Sequence, residues 1–262
     1  ASQNSVLFSR YVDGKKVLKQ LQRYCPDLAS LNVDMVMDDT HPRYADIETK
    51  LISFEKSLTL SEIKVGVLFC GENQTTEKEM YYNCHITHHF QHFLDLLGER
   101  FVCTEKEVYT GGLHRNQEGL QSVWGGINFV FHVSSLLPYD ETEGSQQIER
   151  KRHIANDTIV IVFVEGSQQL SPEVFRSKVN LIFIFVRVST SGKYHVQIAT
   201  KTDLDRFEPN LPDDVTFDPD QNFRNFLFTK IVHGHDAAYK SAKYKHYWYA
   251  RQEALSKVFA DV

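Results

Sequence analysis

The residue types best suited to chemistry are concentrated in the stretch SQQIERKRHIANDTIVIVF, residues 145–163. Basic side chains, a histidine, a carboxamide and a carboxylate precede an unbroken apolar run. They are Arg150, Lys151, Arg152, His153, Asn156 and Asp157. Because α/β folds place their sites at the ends of strands, we expect a functional site at this junction. The cluster also gives a local positive face to a chain whose net charge is −5.

A short helix is expected to carry these side chains. Ser145 can cap the helix, which would run to His153. Ile148 and Ile154 would hold it to the domain, and the basic residues would spread around its surface. The charge run is either a solvated basic face, which is the common case, or a surface that recognises a partner. The Asn–Asp pair likewise either serves a site or satisfies backbone groups in a turn.

Other kinds of site fit the sequence less well. The only Gly–Lys pairs, at 14–15 and 192–193, lack the first glycine of a phosphate-binding loop. His85, His89 and His92 are spaced along one helical face that could bind zinc. No HExxH motif accompanies them, so a solvated polar face is favoured and a metallohydrolase is a distant alternative. We therefore predict no metal site and no cofactor.

Composition and charge predict a soluble, cytoplasmic protein. The four cysteines form no CxxC pair, which favours reduced thiols over a disulfide framework. The negative net charge argues against nucleic-acid binding by bulk charge. No apolar run approaches the roughly 18 residues that a membrane span needs.

Apolar and β-branched runs predict strands from residue 62 onward. Residues 62–70, 158–166 and 179–188 form such runs, and the last two show no alternation, so both of their faces should be covered. Residues 122–133 predict a hairpin that turns at Gly125–Gly126. The alternating segment YHVQIAT is expected nearer an edge of the sheet.

Helical periodicity appears before, between and after these strands. Helices are expected at 14–24, at 44–58, after Thr75 or Thr76, at about 86–97, and in two tail segments separated by a break near HGHD. The sequence therefore predicts an α/β fold with a central mixed sheet flanked by helices and two C-terminal helices. We place a small N-terminal helical region at 1–60 and the main domain at 61–262.

Several motifs, in order, resemble the Rap GTPase-activating protein domain, whose family includes tuberin and the Ral activators. They are GENQTTEKEMYYN, FLDLLGERF followed by YTGGL, FHVSSLLPY, and QQIERKRHIANDTIVIVF. The resemblance covers about residues 62–256. Residues 1–60 match only loosely the region that contributes to dimerisation in Rap activators, so a homodimer is an open expectation.

The resemblance implies a domain that accelerates GTP hydrolysis by a Rap-like small GTPase and is not itself an enzyme. Asn156 would be the catalytic "Asn thumb" that orients the attacking water in the partner, since Rap lacks the usual glutamine. GTP and Mg²⁺ would belong to the GTPase. The binding and orienting groups would be Arg150, Lys151, Arg152, His153 and Asp157, the last two shaping the helix end.

Alternatives remain for the mechanism, the partner and the activity. Arg150 or Arg152 could act as an arginine finger. The partner could be Rheb or Ral, although LLPY and QQIERKRHI favour Rap, and a scaffold domain could have lost activation. Ala155 and His114 stand where the family has glycine and aspartate. Alanine would re-aim Asn156 if that position needs a positive φ, and would be harmless if it is helical.

Overall fold

A computed structural model describes residues 60–104, 109–201, 204–211 and 215–244, together with the helical positions 49, 52, 249 and 253. The chain divides into two compact units, Thr59–Glu253 and a second that joins Ala1–Leu58 with Ala254–Val262. The elements given below belong to the first unit. The helix predicted at 14–24 and most of that at 44–58 lie outside the described residues. The division at residue 60 stays a prediction.

A single mixed sheet forms the centre of the described part of the chain. Its strands are β1 (Glu62–Cys70), β2 (Glu99–Val102), β3 (Glu118–Trp124), β4 (Ile127–Val133), β5 (Ile159–Glu165), β6 (Ile182–Val188), β7 (Tyr194–Thr200) and β8 (Thr216–Phe217). Their order is β2-β3-β4-β1-β5-β6-β7-β8. The neighbours β4, β1, β5 and β6 run parallel, and the other pairs are antiparallel. The predicted mixed sheet is confirmed.

The helices are α1 (Glu77–Tyr81), α2 (His88–Leu97), α3 (Ile148–Ile154) and α4 (Gln221–Lys240). Thr76, one of the two residues predicted as the cap of this helix, is the N-cap of α1. Its hydroxyl accepts a hydrogen bond from the backbone N–H of Glu79, whose carboxylate accepts one from the backbone N–H of Thr76. Within the described ranges, no helix has both the length and the apolar character that a bilayer span needs.

Helices cover both faces of the sheet because its central strands are apolar on both sides. Successive residues of β1 and β5 point to opposite faces. On one face they pack with Phe90 and Phe93 of α2 and Phe223 of α4. On the other face they pack with Met80 of α1 and Ile154 of α3. The double coverage predicted for the unbroken apolar runs is confirmed.

The prediction of a hairpin is confirmed, whereas the prediction of a break in the C-terminal tail is wrong. Strands β3 and β4 form the predicted hairpin, in which Gly125 and Gly126 have φ values of 58° and 81°. Helix α4, in contrast, continues through HGHD to Lys240, so the break predicted there is wrong. Gly234 serves close packing, because a Cβ would lie 3.1 Å from Cδ1 of Ile182. The second tail helix falls largely outside the described residues.

Helix α3 approaches β1 closely because Gly66 carries no side chain. A Cβ at this position would lie 2.9 Å from Cγ2 of Ile154 and 3.2 Å from Oδ2 of Asp157. The strand therefore accepts both the last turn of α3 and the residue that follows Asn156. Glycine at this position sets how deeply the end of the helix is seated.

We expect Gly66→Ala to lower the free energy of unfolding by about 1–3 kcal/mol, because the new methyl group overpacks this contact. Urea denaturation measures the change. Gly71→Ala is the matched control, since its Cβ would meet its nearest neighbours at an ordinary 3.5 Å. The control should change stability by no more than about 0.5 kcal/mol. Equal effects of the two substitutions would refute the packing account.

Candidate functional site

Side-chain hydrogen bonds close the turn before α3 and so fix where the helix begins. Gln147 is the N-cap, with φ 51° and ψ 50°. Its amide accepts from the backbone N–H of Asp140 at 3.1 Å and donates to the Asp140 carbonyl at 2.7 Å. The Ser145 hydroxyl donates to the Asp140 carboxylate and accepts from the Gln147 backbone N–H. The prediction that Ser145 caps the helix is wrong, because it closes the preceding turn instead.

Arg150 points into the protein, so its predicted position on the helix surface is wrong. Only 2% of the residue is exposed. The guanidinium donates to the carbonyls of Tyr81, Asn83 and Leu137 at 2.8, 2.9 and 3.2 Å, and lies 4.8 Å from the centre of the Tyr139 ring. Burial lowers its pKa, yet arginine stays charged in proteins. The side chain ties α3 to two other segments and cannot reach a partner.

The outward face of α3 is formed by residues spaced four apart. Ile148 and Arg152 are exposed neighbours on α3, and the exposed Asn156, two residues beyond the helix, bonds to the Arg152 carbonyl. Ile148 is 67% exposed, so the expectation that it holds the helix to the domain is wrong. Its place against the domain is taken by Arg150.

The two remaining basic residues lie partly in solvent. Arg152 donates to the carboxylate of Glu149 at 2.9 Å, and its other terminal nitrogen contacts Nε2 of His114. Lys151 is half-buried, with its ammonium 5.9 Å from the centre of the Tyr81 ring. His114 thus lies beside the exposed face, in contact with one of its charges.

Asn156 lies at the C-terminal end of α3, where backbone and side chain are both held. Ala155 has φ −67° and ψ −15°, so alanine causes no strain there. The Asn156 backbone N–H donates to the carbonyl of His153 at 3.0 Å, and Nδ2 donates to that of Arg152 at 2.7 Å. No group among the described residues donates to Oδ1. The carboxamide is therefore oriented, exposed and able to accept a hydrogen bond from outside.

Asp157, the residue after Asn156, anchors the turn through buried contacts. Asp157 is fully buried, with Oδ2 2.8 Å from Nδ1 of His132 and Oδ1 3.7 Å from Nζ of Lys64. Burial raises the pKa of Asp157, whereas His132 and Lys64 oppose that shift. The Asn180 amide donates to the carbonyls of Ile154 and Asp157 at 2.8 and 2.6 Å. Asp157 can orient the helix end but not touch a partner.

His153 completes the buried layer beneath the turn. It is 5% exposed, and its ring lies 5.2 Å from that of His132 and 5.8 Å from that of His114. Burial, and to a smaller degree electrostatic repulsion from the neighbours His132, Arg152 and His114, lowers the pKa of His153 to about 4. The imidazole is therefore neutral near pH 7 and lies beneath the outward face rather than on it.

Comparisons with known proteins identify the family. A family profile described as Rap/ran-GAP matches residues 80–256, more than half of the chain. The chain belongs to the Rap/ran-GAP family. It is 38% identical over 192 residues to mouse signal-induced proliferation-associated 1-like protein 1, across 70% of this chain and 11% of that protein. It is 35% identical over 222 residues to human GTPase-activating Rap/Ran-GAP domain-like protein 3, across 80% of this chain and 22% of that protein.

The fold of this Rap/ran-GAP chain also matches a solved structure. The structure of the TSC2 GAP domain superposes with a TM-score of 0.59 at 24% identity, and the match covers 69% of this chain and all of that one. At this identity the likeness concerns the fold. The chain spans only about a tenth to a fifth of the curated relatives' length, so the match concerns one domain of larger proteins.

The position of the site in the sheet differs from the expectation that led to it. Doubly wound sheets bind ligands at the carboxyl ends of their parallel strands. Asn156 precedes β5 and therefore lies at the amino end of that strand. In this Rap/ran-GAP domain the candidate site lies at a helix end docked against the sheet, not in the crevice at the other edge.

The sequence analysis did not identify three residues that hold Asp157 and the turn after α3 in place. Lys64, His132 and Asn180 are contributed by distant segments, and His132 lies 25 residues before Asp157. The one available signal is the lone histidine in the apolar run INFVFHV, since a polar residue in a buried strand needs a partner.

No metal centre is found among the described residues, where no three His, Cys, Asp or Glu side chains gather to hold an ion. The histidine face considered for zinc does not form as one helical stripe. Helix α2 begins at His88, so His85 precedes it.

Replacing Arg150 by alanine should lower the free energy of unfolding by about 3 kcal/mol or more, because three buried carbonyls lose their donor. Chemical denaturation checks this. Arg152→Ala on the same helix removes an exposed ion pair and should cost less than about 1 kcal/mol. A stable Arg150→Ala variant, or equal losses in both, would contradict the assignment of Arg150 as the anchor.

The low pKa of His153 predicts how acid affects stability. Between its folded value of about 4 and the ordinary 6.5, the unfolded chain binds more protons at this residue. The free energy of unfolding should therefore fall as pH is lowered through this window. In His153→Asn, the fall between pH 7 and pH 4.5 should be about 2 kcal/mol smaller, as urea denaturation would show. An unchanged fall would contradict a neutral buried imidazole.

Proposed function

We propose that this domain activates a small GTPase of the Rap type by inserting the carboxamide of Asn156 into the partner's active site. The observation that carries the proposal is the exposed Asn156, held by its Nδ2 bond to the Arg152 carbonyl at 2.7 Å. Membership of the Rap/ran-GAP family supports the reaction class. The names of relatives, such as GTPase-activating Rap/Ran-GAP domain-like protein 3, agree with it.

The chemistry of GTP hydrolysis explains why a carboxamide suits this task. Small GTPases are slow because the attacking water is poorly oriented and the charge of the transition state is poorly matched. A carboxamide oxygen accepts a hydrogen bond from that water, and its NH₂ group is a donor. Because the group is neutral, it adds no repulsion beside the phosphates. Most small GTPases orient this water with a glutamine of their own, which Rap lacks, and Asn156 would replace its function.

The geometry favours Asn156 over an arginine finger. All three hydrogen-bonded carbonyls around Arg150 are internal, and the side chain is buried. Arg152 is exposed, but its guanidinium is engaged by Glu149 and His114. We assign Arg152 and Lys151 to docking against an acidic surface of the GTPase, where charge sets association and orientation.

The remaining parts of the proposal follow from this role. The domain needs no cofactor of its own, because GTP and Mg²⁺ belong to the partner, where the hydrolysis takes place. Rap is favoured over Rheb and Ral by the motifs LLPY and QQIERKRHI. A cytoplasmic location and a homodimer stay predictions.

A GTPase-binding domain without activation is the second candidate, favoured by one observation. His114, which stands where the family has an aspartate, contacts Arg152. The surface proposed to dock the GTPase therefore has a histidine where related domains have a carboxylate. The backbone of Ala155 is helical, which removes the other reason for this alternative. Single-turnover hydrolysis separates binding from activation.

We expect Asn156→Ala to reduce the single-turnover rate of GTP hydrolysis on Rap by about 100-fold or more, as for loss of one group that stabilises a transition state. The fold and the affinity for the GTPase should be retained, because the side chain is exposed. Rap, Rheb and Ral loaded with GTP should be compared, with Arg152→Ala as the control that weakens affinity instead. Normal acceleration by Asn156→Ala would eliminate the thumb assignment.

A further inference from the structure

Ile148 has no role in the folding of α3 that the structure shows. The helix is held by Arg150, His153 and Ile154, which face inward. Ile148 stands on the opposite side, 67% exposed in the first turn. A large apolar side chain at this exposure contributes little to the core, so packing within the domain does not account for it.

The same side chain shares one face with Asn156. The two residues are eight apart, with Arg152 between them: Ile148 begins α3, and Asn156 follows its end, where its Nδ2 donates to the Arg152 carbonyl. All three are exposed, and the buried anchor Arg150 lies behind them. The three exposed side chains therefore form one stripe along the outer side of α3 and the turn that follows it.

We propose that Ile148 is an apolar docking contact for the small GTPase, on the face that presents Asn156. This inference rests on the proposed function. A partner whose active site receives Asn156 must lie against the rest of the stripe, which continues through Arg152 to Ile148. The GTPase that fits has an apolar recess beside the active site that receives the carboxamide. Ile148 contributes affinity and selection among GTPases, and Asn156 contributes the chemistry.

The division of roles gives a test in which affinity and rate separate. The probe is the GTPase that the wild-type domain accelerates most among GTP-loaded Rap, Rheb and Ral. Single-turnover rates are measured over a range of domain concentrations. Ile148→Ala should raise the half-saturating concentration about tenfold, as for loss of a buried apolar anchor. Its maximal rate should stay within about twofold of wild type, and Ile148→Leu should restore most of the affinity.

The matched control is Val123→Ala, since Val123 is 68% exposed on β3, away from α3. This variant should behave as wild type. An Ile148→Ala variant with an unchanged half-saturating concentration, or with a lower maximal rate alone, would overturn the inference. Thermal unfolding verifies that both variants are folded. If the wild-type domain accelerates none of the three GTPases, the proposed function itself fails and this inference falls with it.

Discussion

The buried guanidinium of Arg150 is the interaction on which the candidate site depends. A charge this deep must be satisfied by well-placed acceptors, and carbonyls from the end of α1 and from the LLPY segment supply them. No carboxylate pairs with it in the described part of the chain. Once this face of α3 is fixed inward, the helix has only one possible outward face. Ile148, Arg152 and Asn156 are exposed because Arg150 is not.

The other end of α3 is held by a second buried network. Asp157 bonds to His132, Asn180 donates to the carbonyls of Ile154 and Asp157, and Gly66 lets the turn lie close to β1. Asn156 stands between the helix and this anchor, so its backbone has little freedom. A group that acts in another protein's active site benefits from such positioning, because less entropy is lost when it binds.

Local features of the fold could be predicted from the sequence, whereas features set by distant contacts could not. The strand runs, the Gly125–Gly126 turn and the Thr76 cap are encoded by neighbouring residues. Arg150 was expected on the surface because its neighbours Lys151 and Arg152 make the segment look uniformly solvated, and Ile148 was expected inside because isoleucine usually is. The Arg150 side chain is buried because it bonds to carbonyls 13 to 69 residues away, and this orientation of the helix turns Ile148 outward. Asn156 was found through motifs, whereas its support from His132 and Asn180 was not.

The central claim is that Asn156 takes part in the transition state of the partner's reaction. Trapping with aluminium fluoride tests it most directly, since this ion mimics the transferring phosphoryl group when GDP is bound. Wild-type domain should form a fluoride-dependent complex with the GDP-loaded GTPase, as measured by gel filtration. Asn156→Ala should fail to do so while still binding the GTPase loaded with a non-hydrolysable GTP analogue. An equally stable fluoride complex with Asn156→Ala would contradict the account.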